Sequence, residues 1–310
     1  MATPVILDVD PGHDDALAIL LARADPRLDL LAITTVAGNQ TLDKCTLNAR
    51  RICTVAGIDD VPVAAGASSP LVRELRTAAD VHGESGLDGP AFGTPTVDVD
   101  DRSAVELMRD VLSAHHEPVT LVPTGPLTNI ALLLRTFPQV RESISEIVLM
   151  GGTTGRGNTT PYTEFNMTVD PEAADVVFRS GLPVTMAGLN VTHQALATDE
   201  VLVRLRELGT PLARTCVELL TFYGTTYQEQ WGLSAPPVHD PVAVARVADP
   251  SLVRCVEAPV LIERQGEHTA GATVVDFHYR TGHPDNARVA MDLEAEPFWD
   301  LMINAVHSYG

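Results

Sequence analysis

The sequence predicts an α/β protein built on an open, mostly parallel sheet with helices on both faces. Two observations carry this expectation. Short β-branched runs alternate with longer helical patterns from Val5 to Met186, which is the rhythm of βαβ units. The strand segments are almost continuously apolar, as suits a sheet covered on both sides. No internal repeat, low-complexity tract or Pro/Ser-rich linker divides the chain, so a single domain is expected over residues 1–310.

Taken in order, Val5–Val9 reads as a buried strand and Asp14–Ala24 as a helix stopped at Asp25-Pro26, since proline disfavours helical backbone in the residue before it. Leu28–Val36 is a second strand, followed by a helix over Thr41–Ala56 and a short strand at Val61–Ala65. After a Gly-rich stretch, Val81–Gly93, a helix over Ser103–Ala114 leads into a strand at Val119–Val122. A helix over Leu127–Thr136 closes at Phe137-Pro138. Strands at Ile144–Met150 and Val184–Met186 then flank a helix over Pro171–Arg179. The later part breaks the rhythm with extra helices over Glu200–Leu208, Pro211–Gln230 and Pro241–Val247. A small hairpin is expected from Leu252–Glu263 and Thr273–His278 around Arg264-Gln265-Gly266, before a terminal helix over Glu296–His307.

The 310 residues are 45% hydrophobic, enough for a sizeable core. Asp and Glu total 41 against 21 Lys and Arg, a formal net charge of −20, and the one lysine is Lys44. Such a chain repels polyanions, which argues against a nucleic-acid partner. The longest apolar runs, such as Ala16–Ala22, fall far short of a membrane span, and the first residues carry no basic signal region. Cys45, Cys53, Cys216 and Cys255 form no CxxC pair and read as reduced core residues. A soluble, cytoplasmic protein is expected.

Open α/β sheets bind ligands outside the carboxyl ends of their strands, and here those ends are polar. The first strand ends in Asp8-Val9-Asp10 and turns through Pro11-Gly12-His13 to Asp14-Asp15. Four carboxylates within eight residues repel one another unless a cation holds them. Complementing a helix dipole accounts for one or two of them, not four. The absence of zinc-like His/Cys spacing points to oxygen ligation of a hard divalent ion, with flexible loop carboxylates leaning towards Ca²⁺. His239-Asp240-Pro241 is open to two readings: Asp240 as a helix N-cap with Pro241 behind it, or Asp240 as a further ligand beside a proton-donating His239. Glu164-Phe165-Asn166 is equally compatible with loop polarity. Tyr223 and Tyr227 share a helical face and read by default as core or interface. His82, in a Gly-rich loop, reads as a lid residue or a solvated one.

Together these pieces resemble the nucleoside hydrolases, in particular the inosine–uridine-preferring type, over nearly the full length. The stretch Asp8-Val9-Asp10-Pro11-Gly12-His13-Asp14-Asp15-Ala16 is similar to the family's DxDxGxDDA element. Val36-Ala37-Gly38-Asn39 with Asn48-Ala49, and Gly125-Pro126-Leu127-Thr128-Asn129 after Thr124, also fit. So do Met150-Gly151-Gly152, Gly157-Asn158, Thr160-Pro161, Glu164-Phe165-Asn166 and His239-Asp240-Pro241.

The resemblance implies a nucleoside hydrolase-like fold and calcium-dependent hydrolysis of the N-glycosidic bond of ribonucleosides to base and ribose, in purine and pyrimidine salvage. It implies Ca²⁺ held by Asp10, Asp15, the Thr124 carbonyl and Asp240, with Asp10 as catalytic base and His239 as acid. Asn39 would lie near the attacking water, and Asp14, Asn158, Glu164 and Asn166 would hold the sugar. Tyr223, Tyr227, His239 and the loop residue His82 would face the rest of the substrate. Base on one side and acid on the other is the inverting logic of glycosidases, and histidine's ordinary pKa near neutrality suits the acid role. His239, where the purine-only branch has an aromatic residue, suggests uridine and inosine as substrates. A homodimer or homotetramer is implied as well. Two competing readings remain at this point: an aspartyl phosphohydrolase, which also places DxD after its first strand but needs a downstream lysine, and a non-catalytic nucleoside- or calcium-binding protein.

Overall fold

The structure, a computed structural model, describes residues 2–310. The chain begins with β1 (Thr3–Val9), α1 (His13–Ala24), β2 (Leu28–Thr35), α2 (Leu42–Ala56) and β3 (Val63–Ala65). A short helix α3 (Ala79–His82) precedes α4 (Ala104–Ala114), β4 (Val119–Pro123), α5 (Thr128–Thr136) and β5 (Ile144–Met150). Then come α6 (Phe165–Val169), α7 (Pro171–Phe178), β6 (Val184–Ala187), α8 (Leu189–Thr192), α9 (Asp199–Glu207), α10 (Pro211–Trp231) and α11 (Asp240–Ala248). The chain finishes with β7 (Val253–Ala258), β8 (Val260–Ile262), β9 (Thr273–Val275), β10 (Ala287–Leu293) and α12 (Ala295–His307).

Eight strands form one sheet in the order β3-β2-β1-β4-β5-β6-β10-β7. All neighbours are parallel except β10 with β7, which are antiparallel. The expected open, mostly parallel sheet is present. Its C-terminal edge differs from the expectation in two ways. Leu252–Glu263 is not one strand: Pro259, which has no N–H to give a ladder, divides it into β7 and β8. Only β8 pairs with β9 to make the small hairpin, while β7 joins the main sheet. Its partner there, β10, was not anticipated from the sequence.

Alternation along β1 assigns the two faces. Val5, Leu7 and Val9 enter a core shared with α1, α2, α10, α11 and α12. Ile6 points the other way, into a core with α4, α5 and α7. Helices therefore cover both faces, which is why these strands are apolar at successive positions. β1 lies between β2 and β4, so the connections leaving β1 and β4 run to opposite sides and open a crevice at their carboxyl ends. Among the described residues no helix is long and apolar enough to cross a membrane.

Candidate active site

β1 carries Asp8, and Asp10 follows directly after its last residue, yet the fold gives the two acids different surroundings. Asp8 Oδ1 accepts hydrogen bonds from Thr34 Oγ1 at 2.6 Å and Asn129 Nδ2 at 2.8 Å. The same amide donates to the Thr35 carbonyl at 3.0 Å, so Asp8 braces β1, β2 and α5 below the rim. Burial pushes its pKa up to about 7. Asp10 stands at the rim, where its Oδ2 accepts the Asn39 backbone N–H at 2.7 Å. Asp10 Oδ1 is buried without a partner among the described residues, as is Asp8 Oδ2. The walls around Asp10 admit only glycine: a Cβ at Gly125 would lie 2.7 Å from Oδ1, and one at Gly38 would run into Oδ2.

Asp14 and Asp15 open α1. Asp15 Oδ2 accepts the Gly12 N–H at 3.0 Å and Asn39 Nδ2 at 3.3 Å, and its Oδ1 accepts Thr124 Oγ1 at 2.7 Å. Asp14 Oδ2 accepts the His239 N–H at 3.0 Å. Asp240 arrives from the start of α11, and one carboxylate oxygen from each of Asp14, Asp15 and Asp240 lies within 4.8 Å of the others. No side chain caps α11, so the N-cap reading of Asp240 is not borne out; Pro241 alone keeps its place in the first turn. Burial, reinforced by neighbouring carboxylates, pushes Asp14 up to about 7 and holds Asp10 and Asp240 well above the usual range. Burial also raises Asp15.

Buried acids so placed stay partly protonated unless a cation lies among them. The donor set fits a hard dication: it is all oxygen, several carboxylates converge, and Asp10 Oδ1 has no other partner. The Thr124 carbonyl accepts Asn166 Nδ2 at 2.6 Å and keeps a second lone pair. Asp14, expected with the sugar-holding residues, stands within the acid cluster itself.

Above the acids lies a cavity lined by polar and aromatic side chains. Asp14, Asn39, Thr124 and Asp240 form its floor, while Asp10 and Asp15 are not part of the lining and reach it through Asn39 and Thr124. On one side stand Asn158, Glu164 and Asn166. Glu164 caps α6, its Oε1 accepting the Asn166 N–H at 2.8 Å and its Oε2 those of Gly152 and Met167 at 2.9 and 3.1 Å. Burial nevertheless pushes its pKa up to about 7. Asn158 lies on the loop after β5, half-buried, with only Thr159 Oγ1 on its Oδ1 at 3.3 Å.

The other side is a wall of rings. His239 Nδ1 is 2.7 Å from Thr192 Oγ1 and its Nε2 is 2.8 Å from the Tyr227 hydroxyl. The Tyr223 hydroxyl donates to that of Tyr227 at 3.4 Å, and the two rings meet edge-on with centroids 4.8 Å apart. Both tyrosines are buried and face the cavity, so they are neither plain core nor interface. Burial, with His193 nearby, holds His239 well below its ordinary pKa. It is therefore neutral at neutral pH, rather than poised there as its ordinary value suggested. His82 is 5% exposed and lines the same wall, which removes the solvated reading.

Sequence reasoning missed Trp231 and the support given by Thr192. Trp231 lines the cavity with its ring 4.6 Å from that of Tyr227. It continues the Tyr223, Tyr227 spacing by another four residues, so helical periodicity could have found it. Thr192, from a four-residue helix, left no such signal. Lys44, the one lysine of the chain and not the downstream lysine an aspartyl phosphohydrolase would need, is half-exposed and bonds Gln40 Oε1 and the Glu84 carbonyl, outside the cavity lining.

A model of the inosine-uridine preferring nucleoside hydrolases matches residues 5–300. The chain is similar to the pyrimidine-specific ribonucleoside hydrolase RihA of Photobacterium profundum, 49% identical over 310 residues and all of both chains. To RihA of Escherichia coli O157:H7 it is 50% identical with the same coverage. Its fold is similar to that of a purine-preferring ribonucleoside hydrolase from Gardnerella vaginalis, with a TM-score of 0.93 at 33% identity and 99% of each chain covered.

Proposed function

The chain belongs to the inosine-uridine preferring nucleoside hydrolase family and is a ribonucleoside hydrolase, and from that premise we propose a calcium-dependent enzyme that acts first on pyrimidine ribonucleosides. The observation that carries the reading is one cavity with a floor of convergent buried acids and a wall of tyrosine and histidine rings. Pyrimidine preference is supported by the full-length similarity to the two pyrimidine-specific hydrolases, and it narrows the expected pairing of uridine with inosine.

Asp10, Asp15, the Thr124 carbonyl and Asp240 would hold the ion, with Asp14 at the same cluster. Bound there, a hard dication would supply Lewis acidity to a water and to vicinal hydroxyls. Asp10 takes the proton of the attacking water, its carboxylate oriented by the Asn39 N–H on Oδ2. Asp14, Glu164, Asn158 and Asn166 surround the ribose, and their negative charge favours the oxocarbenium-like state formed as the glycosidic bond breaks. His239 and Tyr227, joined at 2.8 Å, supply hydrogen bonds to the leaving base. We place this activity in a single domain spanning the chain, in a cytoplasmic homodimer or homotetramer serving nucleoside salvage. The free cysteines and the contact of α1 with α12 support the compartment and the domain assignment.

The test is release of free ribose from uridine, cytidine, inosine and uridine monophosphate with calcium present. Ribose from uridine and cytidine, with less from inosine, is expected. Release of phosphate alone from the nucleotide, or no ribose from any nucleoside, would overturn the reading.

A further inference from the structure

The β8–β9 hairpin reaches the site from outside it, and none of the steps above uses it. Thr273, the first residue of β9, is buried against the loop that leaves β5. Its hydroxyl donates to the Thr153 carbonyl at 2.6 Å and accepts the Thr153 N–H at 2.9 Å. One side chain thus answers both main-chain polar groups of Thr153, 120 residues away in sequence. The peptide that joins Gly152 to Thr153 is held from both sides, because its carbonyl accepts the Leu189 N–H at 2.9 Å. Gly152 itself has a φ of 75°, and a glycine is too permissive to fix such a turn by its own backbone. Its N–H donates to Glu164 Oε2 at 2.9 Å. A Cβ on Gly152 would lie 2.7 Å from Thr273 Cγ2, so Thr273 also packs directly on this turn. Two residues before Thr273, Gly271 lies against α6, where a Cβ would stand 2.8 Å from the Met167 carbonyl oxygen. The hairpin therefore touches both ends of the segment 152–168, which carries Asn158, Glu164 and Asn166.

We propose that Thr273 is a positioning residue for the sugar side of the cavity: by holding Thr153 it sets the Gly152 N–H that orients the Glu164 carboxylate. This rests on the nucleoside hydrolase reading and deepens it. A hydroxyl is both donor and acceptor, which is what the two groups of Thr153 require. Valine has nearly the same shape and would leave both of them buried without a partner, a state that main-chain groups avoid by rotating. Rotation at Thr153 turns the Gly152 peptide and moves the carboxylate that it holds. Displacing a positioned group costs rate even though no atom that touches substrate has been removed. Because Thr273 acts on the sugar side, its effect is independent of the base attached.

Hydrogen exchange on the wild-type enzyme reads the brace directly. The Gly152 and Thr153 amides should exchange slowly; exchange as fast as in an exposed loop would overturn the inference whether or not any variant folds. Kinetics supply the second arm. Thr273→Val should lower kcat/KM by roughly tenfold, equally for uridine and cytidine, and should speed exchange at Thr153. Thr273→Ser keeps the hydroxyl and should recover most of the loss. In a Glu164→Ala background the group being positioned is gone, so Thr273→Val should cost less than about twofold more. Full additivity of the two substitutions, or a Thr273→Ser enzyme as impaired as Thr273→Val, would overturn the inference. A wild type that releases no ribose from uridine would instead overturn the functional reading and leave the exchange result standing.

Discussion

The floor and the ring wall of the cavity are built by different means. On the floor, the oxygens of Asp10, Asp14 and Asp15 are held by backbone N–H groups, Asn39 and Thr124, all supplied by strand ends and helix starts around the β1–β4 crevice. The wall hangs mainly on the C-terminal half of α10 and the short α3, joined by His239 from the start of α11, and its rings meet mostly by stacking and single hydrogen bonds. On the proposed reading, topology fixes the residues of bond cleavage, while most of the ring surface offered to the base sits on helices outside the sheet. Relatives named for purine and for pyrimidine preference both share the chain's overall match, as that division allows.

Three substitutions sharpen or break this contrast. A floor substitution, Asp10→Ala, should lower kcat by about 10⁴-fold, the upper end of a general base's contribution, and by the same factor for uridine, cytidine and inosine. Circular dichroism should show the fold intact; a loss that differs strongly between bases would blur floor into wall. A wall substitution, Tyr227→Phe, removes the hydroxyl 2.8 Å from His239 Nε2. It should cost roughly tenfold in kcat/KM, near one hydrogen bond's worth, and change the uridine-to-inosine ratio, measured by competition. An unchanged ratio would deny the wall its role in reading the base.

The smallest effect concerns pH. Glu164 has a folded pKa of about 7 against an ordinary 4.5. Between those values the folded state keeps a proton that the unfolded state has lost, so its contribution to stability is present below 4.5 and fades as pH rises to 7. Glu164→Gln should flatten the fall of the melting temperature across that window. An unchanged slope would mean that Glu164 titrates normally.

Much of this was legible in the sequence, because β1 to β6 are short apolar runs separated by well-punctuated helices, and because acids in an apolar strand demand an explanation. The exceptions have physical causes. β10 carries Arg288 and Asp292 and gains its place only by pairing between β6 and β7, a non-local choice that no local pattern encodes. Asp8 and Asp10 are equivalent by strand alternation; what separates them is Thr34 and Asn129, which are distant in sequence.

Equilibrium dialysis of chelator-treated protein against labelled calcium addresses the floor most directly. One ion per chain should bind to the wild type and to Tyr227→Phe, and none at the same concentration to Asp15→Asn or Asp240→Asn. No uptake by the wild type, or full uptake by both acid variants, would contradict the assignment of those buried carboxylates to a cation.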